Sequence, residues 1–119
     1  MNQPAIPPQS SRPYQGEVRV SDPSPLTGER ELYVVASSDL YNEAGGPTVL
    51  VAEIEVGTRL RATPLKTAIE TPWGVVLCDR LTWLPVEYAG EHFGQLAPDE
   101  ITDLIEGSCR VIRGARPVG

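Results

Sequence analysis

Apolar and polar positions alternate from Gly16 to Val20. Val18 and Val20 face one way, Glu17 and Arg19 the other. A period of two predicts a short, half-buried strand. Leu32 to Ala36 is a continuous apolar run, the pattern of a more central strand. Between them, Ser21 to Glu29 is rich in Pro, Ser, Asp and Gly and reads as a loop. Ser38 or Asp39 supplies a helix N-cap and Gly45-Gly46-Pro47 a stop, so one short helical turn fits between them. Alternation returns from Thr48 to Val56. Leu50, Ala52, Ile54 and Val56 share one face; Val49, Val51, Glu53 and Glu55 share the other, which turns acidic towards its C-terminal end. The stretch from Arg59 to Gly74, broken by Pro64 and Pro72, predicts a hairpin region. Gly74 to Cys78 is another apolar strand, and Leu81 to Gly94 holds extended segments and a loop.

Only the end of the chain has a helical period. Ile101, Leu104, Ile105, Cys109 and Ile112 fall near one face. Pro98 suits the first turn, Asp99 and Glu100 complement the positive end of the dipole, and Arg110 and Arg113 the negative end. Gly107 costs such a helix about 1 kcal/mol relative to alanine, so it depends on packing its apolar face. Residues 1–15 carry Pro4, Pro7, Pro8 and Pro13 without periodicity and predict a loose, extended arm. Residues 114–119 read as a flexible tail. The body, residues 16–113, is then one mainly β domain, a small and strongly curved sheet or barrel capped by a C-terminal helix.

Composition narrows the function. The 119 residues hold no apolar run near the roughly 20 that cross a membrane. The start, Met1 to Gln15, lacks the basic and apolar regions of a signal peptide, so the expected location is the cytoplasm. Two cysteines, Cys78 and Cys109, are too few for a disulfide framework and lack metal-site spacing; both are expected to be buried, inert thiols. The net charge of −6 argues against general nucleic-acid coating. Bases nevertheless gather in residues 56–80, with Arg59, Arg61, Lys66 and Arg80, and again after Arg110, so a local cationic patch on an acidic body is one reading and scattered solvated charge the other.

Several residues carry two readings. Glu29-Arg30-Glu31 stands directly before the apolar run at Leu32: an ordinary charged turn, or a cation held by carboxylates and aimed at a phosphate. Asp79 and Arg80 close a strand and either bind RNA or form a structural turn. Arg59 and Arg61 share one face if extended; they track a nucleic-acid backbone or decorate an exposed hairpin. Trp73 and Trp83 stack bases or pack a core or dimer. His92 donates a proton or sits in solvent.

The order of segments resembles the MazF/PemK/Kid toxin family, which shares a fold with the CcdB toxins. The matching pieces are Gly16 to Val20, an arginine opening Glu31 to Asn42, Gly46 to Glu55, Gly74 to Asp79 and Gly94 to Ile105, spread over roughly residues 15–113. The resemblance implies an SH3-like small barrel of the CcdB/PemK type, a homodimer, and cleavage of single-stranded RNA at short sequences with no metal or other cofactor. It also implies neutralisation by a cognate antitoxin. The family's catalytic arginine matches Arg30, and its assisting threonine or serine matches Glu55. The chain departs from the family in having Glu31 where proline is usual and Gln15 where arginine is usual.

The chemistry has its own logic. Metal-independent cleavage uses the RNA 2′-hydroxyl as nucleophile. It needs a base for that hydroxyl, a proton for the leaving 5′-oxygen and a cation for the crowded phosphorane. Arg30 can supply the cation through its planar donor fork. Glu55 can act as the base within hydrogen-bond reach; equally, it can sit against Arg30 as an ion pair. A second function class uses the same fold without catalysis, as a module that binds an antitoxin or an enzyme target.

Overall fold

The computed structural model describes residues 12–23, 25–56 and 67–113. Six strands appear: β1 (Glu17–Val20), β2 (Leu32–Val35), β3 (Thr48–Glu55), β4 (Ala68–Thr71), β5 (Gly74–Pro85) and β6 (Glu91–Gln95). Among the described residues two α-helices join them, α1 (Asp39–Glu43) and α2 (Pro98–Arg113), with a 3-10 turn over Val86–Tyr88. The strands form one antiparallel sheet in the order β4-β5-β3-β2-β1-β6. The domain is thus a mainly β half-barrel with a C-terminal helix, as the sequence pattern predicts.

Alternation along the strands sorts two apolar layers. Val18, Val34, Ala52, Ile54, Val76 and Cys78 meet Leu96 and Leu104 beneath α2. Tyr33, Val35, Val49 and Val51 form the opposite layer with Leu84 and Val86. Side chains close the curve of the sheet. Trp73, in the β4–β5 turn, stands edge-on to Phe93 of β6 with centroids 5.7 Å apart and lies against Gly94, where any Cβ would collide with its ring. Trp73 therefore joins the two ends of the sheet and packs on the core, the structural one of its two readings.

Local chemistry fixes the helices. Ser38 caps α1 by accepting from the Tyr41 backbone N–H at 3.1 Å. Glu100 reaches back to the Ala97 N–H at 2.8 Å, half of a capping box at the start of α2. The buried stripe of α2 differs from the expected one. Leu104, Gly107 and Ser108 are buried, whereas Ile105, Cys109 and Ile112 are exposed. Cys78 of β5 lies 3.9 Å from the Leu104 carbonyl, so the helix rests on the sheet along the line of Leu104 and Ser108 and leaves Ile105, Cys109 and Ile112 one step round it.

Cys109 is thus not the buried thiol expected, while Cys78 is: it is fully inaccessible, and burial pushes its thiol up to about 11. Little thiolate forms there at neutral pH. A disulfide-exchange reagent such as DTNB is expected to titrate one thiol per native chain promptly and the second only on unfolding. Two prompt equivalents would contradict this packing.

The Pro-rich arm expected over residues 1–15 falls mostly outside the described residues, as does the tail. Its last four residues are tied down. Arg12 donates to the Asn42 and Gly46 carbonyls at 2.8 and 3.1 Å, and Gln15 binds Asp39 and Ala36 at 2.7 and 2.9 Å. Among the described residues, no helix is long and apolar enough to cross a membrane.

Candidate active site

Strand β2 begins where β3 ends, with Leu32 opposite Ile54. Just beyond that pair lies an open cleft of about 400 Å³, whose walls include Glu29, Arg30 and Glu31 on one side and Glu53 and Glu55 on the other. Arg30 and Glu55 are therefore brought to one cleft. Arg30 is exposed and belongs to none of the ion pairs among the described residues, which are Glu17–Arg19, Glu17–His92 and Glu53–Arg80. Its sequence neighbours do not clamp it. Glu31 is held by its backbone: its carbonyl accepts from the Ser21 N–H at 2.8 Å and its N–H donates to the Ser21 hydroxyl at 2.9 Å, and neither Glu29 nor Glu31 forms an ion pair with Arg30 among the described residues. Glu55 is half-buried, on the face it shares with Glu53 and Val51. Glu29, Glu31, Glu53 and Glu55 line the cleft beside Arg30, and Glu53 is paired with Arg80.

A second pocket of about 350 Å³ adjoins the first and shares Glu31, Leu32 and Glu53 with it. Its floor is apolar, built from Tyr33, Val51 and Leu84. The Tyr33 hydroxyl donates to the carbonyls of Ala89 and Tyr88, and burial pushes its pKa up to about 12, so it stays protonated at neutral pH. Arg80 and Tyr88 stand at the rim. A bulge positions Arg80: Glu53 pairs with Leu77 and Ala52 with Leu81, leaving Cys78, Asp79 and Arg80 without partners across the ladder. Strand β5 thus runs through Asp79 and Arg80, where the sequence suggests a strand end. From the bulge, Arg80 Nη1 donates to Glu53 Oε1 at 3.1 Å. Both side chains are about half exposed, so the pair adds about 0–1 kcal/mol to stability.

A third polar group lies at the β6 edge. Glu17 and Arg19 are 4% and 6% exposed, so the face expected to meet solvent is buried. Burial follows from cover: the chain around Tyr14 and Gly90 lies over them. Arg19 Nη1 donates to the Gly90 carbonyl at 2.7 Å, and Gly90, at φ +75°, approaches Val20 too closely for any Cβ. Arg19 Nε lies 3.1 Å from Glu17 Oε1 with its N–H off the hydrogen-bonding line. Glu17 Oε2 meets His92 Nδ1 at 2.7 Å. His92 is about half exposed but lines neither cleft.

Of the other candidates, Asp79 is exposed and lines neither cleft, and Arg59 and Arg61 lie outside the described residues. Trp83 is 56% exposed and stacks at a tilt on Tyr41, centroids 5.7 Å apart, away from both clefts. Among the described residues no group of three or more His, Cys, Asp or Glu side chains is placed to hold a metal ion. Sequence reasoning missed Glu53, Tyr33 and Tyr88. The alternation of β3 already put Glu53 beside Glu55; what brought Tyr33 alongside was the β2–β3 register, which no single strand reveals.

Half-barrel and cleft together describe a small, mainly β domain with an exposed guanidinium at a strand mouth. Residues 14–111 match the family described as PemK-like, MazF-like toxin of type II toxin–antitoxin systems, and the chain belongs to that family. No curated protein matches the chain. Among solved structures it is similar to an endoribonuclease in complex with its cognate antitoxin from a mycobacterial species, at 19% identity and a TM-score of 0.70, covering 88% of this chain and 99% of that one. It is also similar to a MazE–MazF structure from Deinococcus radiodurans, at 19% identity, TM-score 0.67 and coverage of 85% and 95%. A third is the Mycobacterium tuberculosis toxin MazF-mt6, at 16% identity, TM-score 0.60 and coverage of 81% and 95%. At these identities the likeness is one of fold.

Proposed function

We propose that this protein is the toxin of a type II toxin–antitoxin pair, a cytoplasmic homodimer that cleaves single-stranded RNA without a metal and is neutralised by a cognate antitoxin. The observation that carries the reading is the placement of Arg30: exposed, outside every ion pair among the described residues, and in one cleft with Glu55. Glu55 takes the proton from the 2′-hydroxyl. The 2′-oxygen bonds to phosphorus, the bond to the 5′-oxygen breaks, and water in the open cleft supplies the proton to that oxygen. Arg30 spreads its donors over the phosphorane oxygens as their charge rises. DNA lacks the nucleophile and is not a substrate. Arg80, on the adjoining pocket, holds substrate beside the cleft; Asp79, Arg59 and Arg61 remain candidate substrate contacts.

The chain's net charge of −6 and the glutamate at position 55 favour a second reading. On that reading the protein is a non-catalytic member of the fold that binds an antitoxin or an enzyme target. Incubating the purified protein with a long single-stranded RNA in EDTA separates the two. Cuts at defined sequences support the nuclease. No cutting at any protein concentration, with growth arrest persisting on expression in cells, supports the binding module.

A further inference from the structure

We propose that the pocket over Tyr33 is a base-reading subsite selective for guanine, with Glu53 and Arg80 as its specificity-determining residues and Tyr88 as its stacking wall. The inference rests on the ribonuclease reading, because it gives the neighbouring cleft a nucleotide to place. At about 350 Å³ the pocket is in the range of small-ligand sites, and it combines an apolar floor with few polar groups at its rim. Tyr33 turns its hydroxyl to the Ala89 and Tyr88 carbonyls, so its ring and not its polar end faces the pocket floor. Tyr88 stands at the rim with 66% of its surface open, a large exposed aromatic with a face to offer a base.

The polar rim sets the choice of base. Glu53 presents a carboxylate, an acceptor with about four lone-pair positions, of which Arg80 occupies one at 3.1 Å. Arg80 keeps its other donors. A base that satisfies both must offer adjacent N–H donors to the carboxylate and acceptors to the guanidinium. Guanine presents two neighbouring donors, N1–H and N2–H, on one edge, with O6 and N7 beside them, the acceptors that arginine reads in pairs. Adenine and cytosine set an acceptor next to their amino group, and uracil flanks its one N–H with two acceptors. Each leaves a rim group unpaired, and unpaired polar groups are what make such sites selective. Because Glu31, Leu32 and Glu53 belong to both cavities, a base seated here puts its own sugar and phosphate at or next to the Arg30 cleft.

Titration of the isotope-labelled native protein with each of GMP, AMP, CMP and UMP, followed by amide NMR, tests the subsite without any cleavage. Shifts at Glu53, Leu81 and Tyr88 are expected to saturate with GMP at a concentration about tenfold below that of the other three. Glu53→Gln and Tyr88→Ala are each expected to weaken GMP binding about tenfold or more, with the amide spectrum otherwise folded. Equal response to all four nucleotides, or shifts confined to other parts of the surface, would overturn the proposal. Its failure is distinguishable from that of the nuclease reading. A protein that cuts RNA but ignores guanine loses only the subsite. One that binds GMP at these residues yet cuts nothing keeps the subsite and loses the nuclease.

Discussion

Arg30→Ala is expected to lower RNA cleavage by at least about 10²–10³-fold, the loss seen when one preorganised donor to a developing oxyanion is removed. Stability should change by no more than about 0.5 kcal/mol, because the side chain is exposed and belongs to no ion pair among the described residues. Arg30→Lys keeps the charge but loses the planar fork, and should fall between wild type and alanine. Glu55→Gln keeps the shape of the cleft wall and removes the base; about 10²–10⁴-fold is the corresponding loss. Rates from gel or fluorescence assays, with melting curves alongside, separate a chemical defect from a folding one. An Arg30→Ala protein that cuts at the wild-type rate would remove the guanidinium from the mechanism.

Glu17→Ala is expected to lower stability by about 3–5 kcal/mol. The carboxylate is 4% exposed and serves Arg19, His92 and the Tyr14 N–H, the last at 3.3 Å. Truncating it removes the carboxylate 3.1 Å from the buried Arg19 guanidinium. Replacing both members by methionine should cost less than Glu17→Ala alone, since an apolar pair of similar volume leaves no buried charge behind. Urea denaturation of the single and double variants measures the difference. A single variant within about 1 kcal/mol of wild type would show that the pair is exposed in solution.

The same pair shows where sequence reading stops. Alternation in Gly16–Val20 located β1 and assigned Val18 to the core, but it treated the other face as open. Whether that face is covered depends on chain from far along the sequence, around Gly90 and His92, that no local pattern announces. The β3 alternation did better: it put Glu53 and Glu55 on one face, and both line the Arg30 cleft. Helix α2 was legible in extent and dipole, and its buried stripe was not. Where the helix rests on β5 decided that stripe; it buries Gly107 and Ser108, which a hydrophobic period does not select. The long reach of β5 was hidden by Asp79 and Arg80, polar residues that read as a strand end and instead form a bulge. That bulge is what turns Arg80 towards Glu53.

Chemistry at Arg30 and Glu55 leaves a mark that binding alone cannot. Attack by the 2′-hydroxyl produces one fragment ending in a 2′,3′-cyclic phosphate and another beginning with a 5′-hydroxyl. Mapping both ends after digestion of a long single-stranded RNA in EDTA should find that pair at every cut, and the Arg30→Ala protein should yield neither. Fragments carrying a 5′-phosphate and a 3′-hydroxyl, or RNA left whole by the wild-type protein, would contradict the proposed role of the two residues.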